Sequence, residues 1–125
     1  MLFALVMSMW MGLVGAVAKD FSDTEGDALA HRRNLTLRLG LHRVRWLVSL
    51  VALTIGAAFP VAAWRWVPDL LPAALLTLCG AAILGVVAMS SLSSGDRTRL
   101  RRPYRVFMAT QYATHLTVIA TASLC

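Results

Sequence analysis

The chain has 125 residues, 58% of them apolar and 14% charged, against about 45–50% and about 25% in an ordinary soluble domain. Too little polar surface exists to clothe a water-soluble globule of this size, which excludes a soluble enzyme and a disordered tail. Twelve basic residues oppose six acidic ones, but they lie in short clusters between long uncharged runs. The water-exposed basic face that a nucleic-acid binder needs is missing.

The first apolar run, Leu2 to Ala18, is long enough to cross a bilayer as a helix, since about 20 residues at about 1.5 Å each cover the hydrocarbon. Ala16, Val17 and Ala18 form a small-x-small pattern of the kind a signal peptidase cuts. No positive n-region precedes the run, however, so it reads as a span that begins flush with the chain, as though an upstream part were absent. Gly12 and Gly15 offer a small surface for close helix contact.

Four of the six acids follow directly: Asp20, Asp23, Glu25 and Asp27, in the string KDFSDTEGD. If the helix continues, Asp20, Asp23 and Asp27 stand at i, i+3 and i+7, within an arc of about 60° on one face. Three stacked carboxylates repel one another unless a cation lies among them. Their oxygens suit a hard ion, and Mg²⁺ is commonly held by carboxylates, water and the phosphate oxygens of a substrate. Glu25 points elsewhere on that helix. Two other readings stand beside this one. The acids can be solvated at the membrane boundary or paired with Arg32 and Arg33, and Ser22 with Glu25 can form a capping box that starts a new helix and breaks the shared face.

The second run, Trp46 to Trp64, and the third, Leu70 to Leu92, are separated by a short turn. Pro60, Pro68 and Pro72 cluster around it and are expected to end one helix and start the next. Arg65 lies in this turn between Trp64 and Trp66, an indole pair of the kind found at a membrane interface. Gly80 and Gly85 offer further small surfaces. After a basic loop, Ser93 to Arg105, comes the fourth run, Val106 to Leu124. On it Tyr104, Met108, Gln111, Tyr112 and His115 fall within about 100° of one helix face. Polar groups at membrane depth look toward a cavity or a partner helix, the latter being the commoner outcome for Gln111 and His115. Cys79 and Cys125 lack the spacing of a disulfide framework or metal site.

The expected fold is therefore all-α: one polytopic membrane domain with helices at about 2–18, 46–64, 70–92 and 106–124, and loops at about 19–45 and 93–105. The runs show no period-two alternation, so a β-barrel is not indicated. Eleven of the twelve basic residues fall in the two loops. The positive-inside bias places both loops in the cytoplasm, with the chain an integral protein of the cell membrane and the tryptophan pair outside.

The stretch KDFSDTEGDALAHRRNLTLRLG, Lys19 to Gly40, resembles the second aspartate-rich motif of the UbiA superfamily of intramembrane prenyltransferases, typically KDxxDxxGDxxxGxxTLPVxxG. Asp20, Asp23, Gly26, Asp27, Leu35 and Gly40 match in register, while His31, Asn34 and Thr36 stand where the family usually has Gly, Thr and Pro. The YRVFMATQY stretch is also similar to that family's C-terminal end. The resemblance implies the last four of nine helices, with the family's first motif, NxxxDxxxD, absent from these residues. It further implies Mg²⁺-dependent transfer of a prenyl group from a prenyl diphosphate to an acceptor that is often aromatic. Asp20, Asp23 and Asp27 would then be metal carboxylates, and Lys19, Arg32 and Arg33 diphosphate contacts. With one motif of two, this chain alone is expected to be inactive and to require the missing N-terminal helices. A reading of a different class is a small non-catalytic four-helix membrane protein that binds a partner or anionic lipid through its basic loops.

Overall fold

The computed structural model describes residues 1–20, 29–30, 35–93 and 95–124. Helix α1, Leu2–Asp20, is α-helical over Leu2–Met9 and widens into a π-helical stretch at Trp10–Gly15. A short α2, Leu35–Leu39, is separated from α3, Leu41–Trp66, by Gly40 at φ +85°. No atom would crowd a Cβ there, so it is the left-handed backbone itself that calls for glycine at the mouth of α3.

Helix α3 runs for 26 residues and exceeds the apolar run at both ends, taking in Arg43, Arg45 and Arg65. Long arginine stems lie along apolar surface while their heads reach the boundary, so charge alone does not end a helix. What ends it is Pro68. Val67 adopts φ −144° and ψ +76°, because a residue preceding proline is driven out of the α region. Pro60 lies inside it, as an expected run to Trp64 requires. It forfeits one amide bond to the Gly56 carbonyl, a local loss that turns on either side can carry in a helix this long.

Pro68–Leu70 makes one 3₁₀ turn into α4, Leu71–Met89, with Pro72 in the first helical turn. The helix stops short of the expected Leu92 because Ser90 is extended. The Ser90 hydroxyl donates to the Val87 carbonyl at 3.1 Å and accepts the Leu92 amide at 3.3 Å. A short α5, Arg97–Leu100, opens with the Asp96 carboxylate accepting the Arg99 amide at 3.0 Å. Helix α6, Arg102–Leu124, starts within the expected basic loop, and Arg102 Nη1 donates to the Leu92 carbonyl at 3.0 Å. No strand occurs among the described residues.

The four long helices form an antiparallel bundle in which α3 packs on α4, α4 on α6, and α1 on both α3 and α6. Gly56 faces Ala81 and Gly80 faces Thr110. The Thr77 and Thr114 hydroxyls, both fully buried, lie 3.1 Å apart across α4 and α6. Trp10, Val14, Val44, Val48, Phe59 and Leu84 are among the largest buried side chains. Large apolar side chains on the outside of every long helix stay exposed, among them Leu5, Leu50, Val86 and Leu116. Such a surface suits a bundle solvated by hydrocarbon rather than water.

Among the described residues, Leu2–Asp20, Leu41–Trp66 and Pro68–Met89 are long and apolar enough to cross a membrane. The all-helical fold with these three helices is consistent with an integral membrane protein. Helix α6, 23 residues long, has the length but is more polar. Its Thr110, Thr117, Thr121 and Ser123 hydroxyls each donate to the carbonyl four residues back, at 2.8 Å. Such back-bonding satisfies the hydroxyls within the helix.

Candidate functional site

The antiparallel order brings the C-terminal ends of α1 and α4 beside the N-terminal ends of α3 and α6. Lys19, Arg43, Arg45, Arg99, Arg101, Arg102 and Arg105 gather at this end by their helix positions, whereas Arg65 lies at the other. The described cations of the two basic segments thus share one end of the bundle.

At this end a groove of about 400 Å³ runs between the last turns of α1 and the first turns of α6. Met11, Gly15, Ala16 and Lys19 form one wall, with Tyr104, Met108, Gln111 and Tyr112 on the other. Its base is Phe107, whose ring lies against Gly15 where a Cβ would have to be. Phe107 stacks on Trp10 at 6.0 Å between centroids and on Tyr104 at 5.7 Å. The result is a continuous aromatic layer beneath the groove. The π-helical stretch lies alongside, and Gly15 within it lets α1 approach α6 closely enough to seat the Phe107 ring.

Four of the five residues in the polar stripe of α6 line this groove. His115 does not. Its Nδ1 lies 2.7 Å from the Gln111 carbonyl oxygen and its ring meets Phe3 edge-on at 5.1 Å. One turn toward the C-terminus carries it beyond the groove and against α1, so it packs in the bundle. Gln111 presents the opposite case. Its side-chain Oε1 is buried, with almost no accessible surface, and has no hydrogen-bond partner among the described residues.

Of the residues expected to bind metal and diphosphate, Lys19 is exposed at the groove mouth and Asp20 is half-buried beside it on the last described turn of α1. Asp23, Asp27, Arg32 and Arg33 lie outside the described residues, as does Cys125. Among the described residues no three His, Cys, Asp or Glu side chains come together as a metal-binding group. Cys79 is a free, exposed thiol on α4.

Phe107 and Met11 escaped the sequence reading. Phe107 stands three residues after Tyr104 and four before Gln111, a helical spacing that held the signal, but an aromatic among apolar neighbours does not show which helix it meets. No family model, curated protein or solved structure matches the chain.

The unpartnered amide yields a direct expectation. Gln111→Leu keeps similar volume and removes a buried polar atom that has no partner, so the thermal midpoint in detergent should hold or rise by a few degrees, about 1 kcal/mol or less. A substantial fall in the midpoint would mean that Gln111 supports the bundle through contacts that outweigh its unpartnered Oε1.

Proposed function

We propose that the chain is the C-terminal part of a UbiA-type intramembrane prenyltransferase. On this reading α1, α3, α4 and α6 are the last four of nine membrane helices, and the basic end faces the cytoplasm, as the positive-inside bias favours. The observation that carries it is the carboxylate series Asp20, Asp23 and Asp27, issuing directly from the end of a membrane-length helix within the motif Lys19 to Gly40. Support also comes from Gly40, which opens α3 in the left-handed conformation at the motif's last glycine. The groove adds to this, since it places Lys19 at the mouth of an aromatic-based cleft beside Asp20.

The donor set, hard carboxylate oxygens at i, i+3 and i+7 in the sequence, suits Mg²⁺ better than a softer metal. Asp20, Asp23 and Asp27 would hold it, and when bound it neutralises negative charge on a diphosphate. Lys19, Arg32 and Arg33 add cationic contacts to the phosphate oxygens, stabilising the charge that grows as the carbon–oxygen bond breaks and the electron pair leaves with diphosphate. The remaining allylic cation needs shelter from water until the electron-rich acceptor forms the new carbon–carbon bond and then loses its proton. Met11, Ala16, Phe107 and Met108 provide apolar wall.

The family's other motif, NxxxDxxxD, does not occur in these residues, so half of the diphosphate site must come from elsewhere. Co-expression of the chain with the first five helices of a family member should restore prenyl transfer in membranes, whereas either piece alone gives none. A chain that assembles with those helices and still shows no turnover would count against the reading. The gathering of arginines at one end also suits a second reading, a non-catalytic membrane protein that holds a partner or anionic lipid there. That protein would bind no prenyl diphosphate in a Mg²⁺-dependent way.

A further inference from the structure

The opposite end of the bundle carries a feature that neither reading uses. Arg65, in the last turn of α3, is exposed and flanked by Trp64 and Trp66, which are 74% and 71% exposed. Among the described residues it makes no ion pair, although Asp69 follows four positions later. A hollow of about 730 Å³ runs down α3 from it, lined by Ala57, Ala58, Val61 and Ala62 with Trp64, Arg65 and Trp66. These form two rows at helical spacing, Ala57–Val61–Arg65 and Ala58–Ala62–Trp66, so the small side chains make a trough that leads to the guanidinium. On the other flank of Val61 and Trp64 lies a second apolar hollow of about 470 Å³, closed by Pro60, Leu71 and Leu75.

We propose that this end of α3 is a binding site for one anionic phospholipid. The Arg65 guanidinium takes the headgroup phosphate, for which its planar fork is suited. The two indoles lie at headgroup depth, and the acyl chains occupy the hollows on either side of the Val61–Trp64 ridge. One apolar trough leading to the cation, with a second across the Val61–Trp64 ridge, matches the shape and charge of a two-chain anionic lipid. A soluble anion would have no use for the troughs, and a neutral lipid none for the cation. Depth agrees as well. Exposed Trp46 near the start of α3 and exposed Trp64 and Trp66 at its end are about 27–30 Å apart at 1.5 Å per residue, the thickness of the hydrocarbon. Arg65 therefore falls at the boundary. The site requires α3 to cross the bilayer and is independent of prenyl transfer.

The test is native mass spectrometry of the full chain in detergent, titrated with phosphatidylglycerol, phosphatidylcholine and, as a soluble anion, inorganic phosphate. One phosphatidylglycerol should be retained in preference to phosphatidylcholine, with no competition from millimolar phosphate. Arg65→Gln should lower that preference about fivefold, and Ala58→Leu with Ala62→Leu, which fills one trough, should weaken both lipids. Arg101→Gln with Arg105→Gln, at the far end of the bundle, should leave the Arg65-dependent lipid in place. The proposal is overturned if Arg65→Gln retains the full preference, if only the far-end variant loses it, if phosphate displaces the lipid, or if Arg65→Gln instead abolishes a dimer that excludes lipid.

Discussion

Gly80→Leu is expected to separate α4 from α6 and cost the bundle about 3 kcal/mol or more. A Cβ at position 80 would fall on the Thr110 hydroxyl and methyl and lie 2.8 Å from the Thr110 Cβ. Threonine is branched at Cβ and has no flexible end to swing aside, so the α6 backbone itself must move. In moving, it would also part the Thr77 and Thr114 hydroxyls, 3.1 Å apart and fully buried one turn away. Gly12→Leu is the matching control, because nothing lies within 4 Å of a Cβ there. Thermal or denaturant unfolding in detergent should show a large loss for Gly80→Leu and little change for Gly12→Leu. Equal effects would mean that glycine acts through backbone freedom and that the close crossing is not what it provides. Because Tyr104, Gln111 and Tyr112 ride on α6, the Gly80 variant should also distort the groove that they line.

The second large effect is expected at the carboxylates. Asp23→Ala and Asp27→Ala should each weaken Mg²⁺-dependent binding of a prenyl diphosphate to the chain, assembled with its complementary helices, by at least about 100-fold. Glu25→Ala, which removes an acid outside the i, i+3, i+7 series of the sequence, should change it little. The sign of the stability change separates a metal site from an ordinary solvated cluster. If the three carboxylates do share one site, removal of one of them without Mg²⁺ should leave stability unchanged or raise it. With Mg²⁺ and diphosphate, the same substitution should forfeit the stabilisation that bound ligand confers. Binding that is insensitive to Asp23→Ala and Asp27→Ala, or that proceeds equally without Mg²⁺, would remove the diphosphate site.

The end points of the helices show where local reading succeeds. Gly40 and Pro68 mark the start and end of α3 because each acts through its own backbone, with no need of a partner. Pro60 does not end α3, since proline removes one hydrogen bond but cannot stop a helix whose neighbouring turns are intact. Arg43, Arg45 and Arg65 misled, because charge describes where a side chain is solvated and not where the helical dihedrals cease. The groove was half legible. Tyr104, Met108, Gln111 and Tyr112 share a face by period alone, but that period also admitted His115, which the packing of Phe3 removes from the set.

Apolar length, the order of the charges and the backbone demands of Gly40 and Pro68 were sufficient for an all-helical chain of membrane character with the described cations of both basic segments at one end. Those properties depend on partition into hydrocarbon and on local dihedrals, which each segment carries with it. The pairing of Gly80 with Thr110, of Gly56 with Ala81 and of Gly15 with the Phe107 ring came only from the packed bundle. So did the unpartnered Gln111 amide and the two hollows beside Arg65. Small and apolar residues occur on every face of such helices, so many rotations bury similar area. Which face meets which is decided by close packing among all four helices at once.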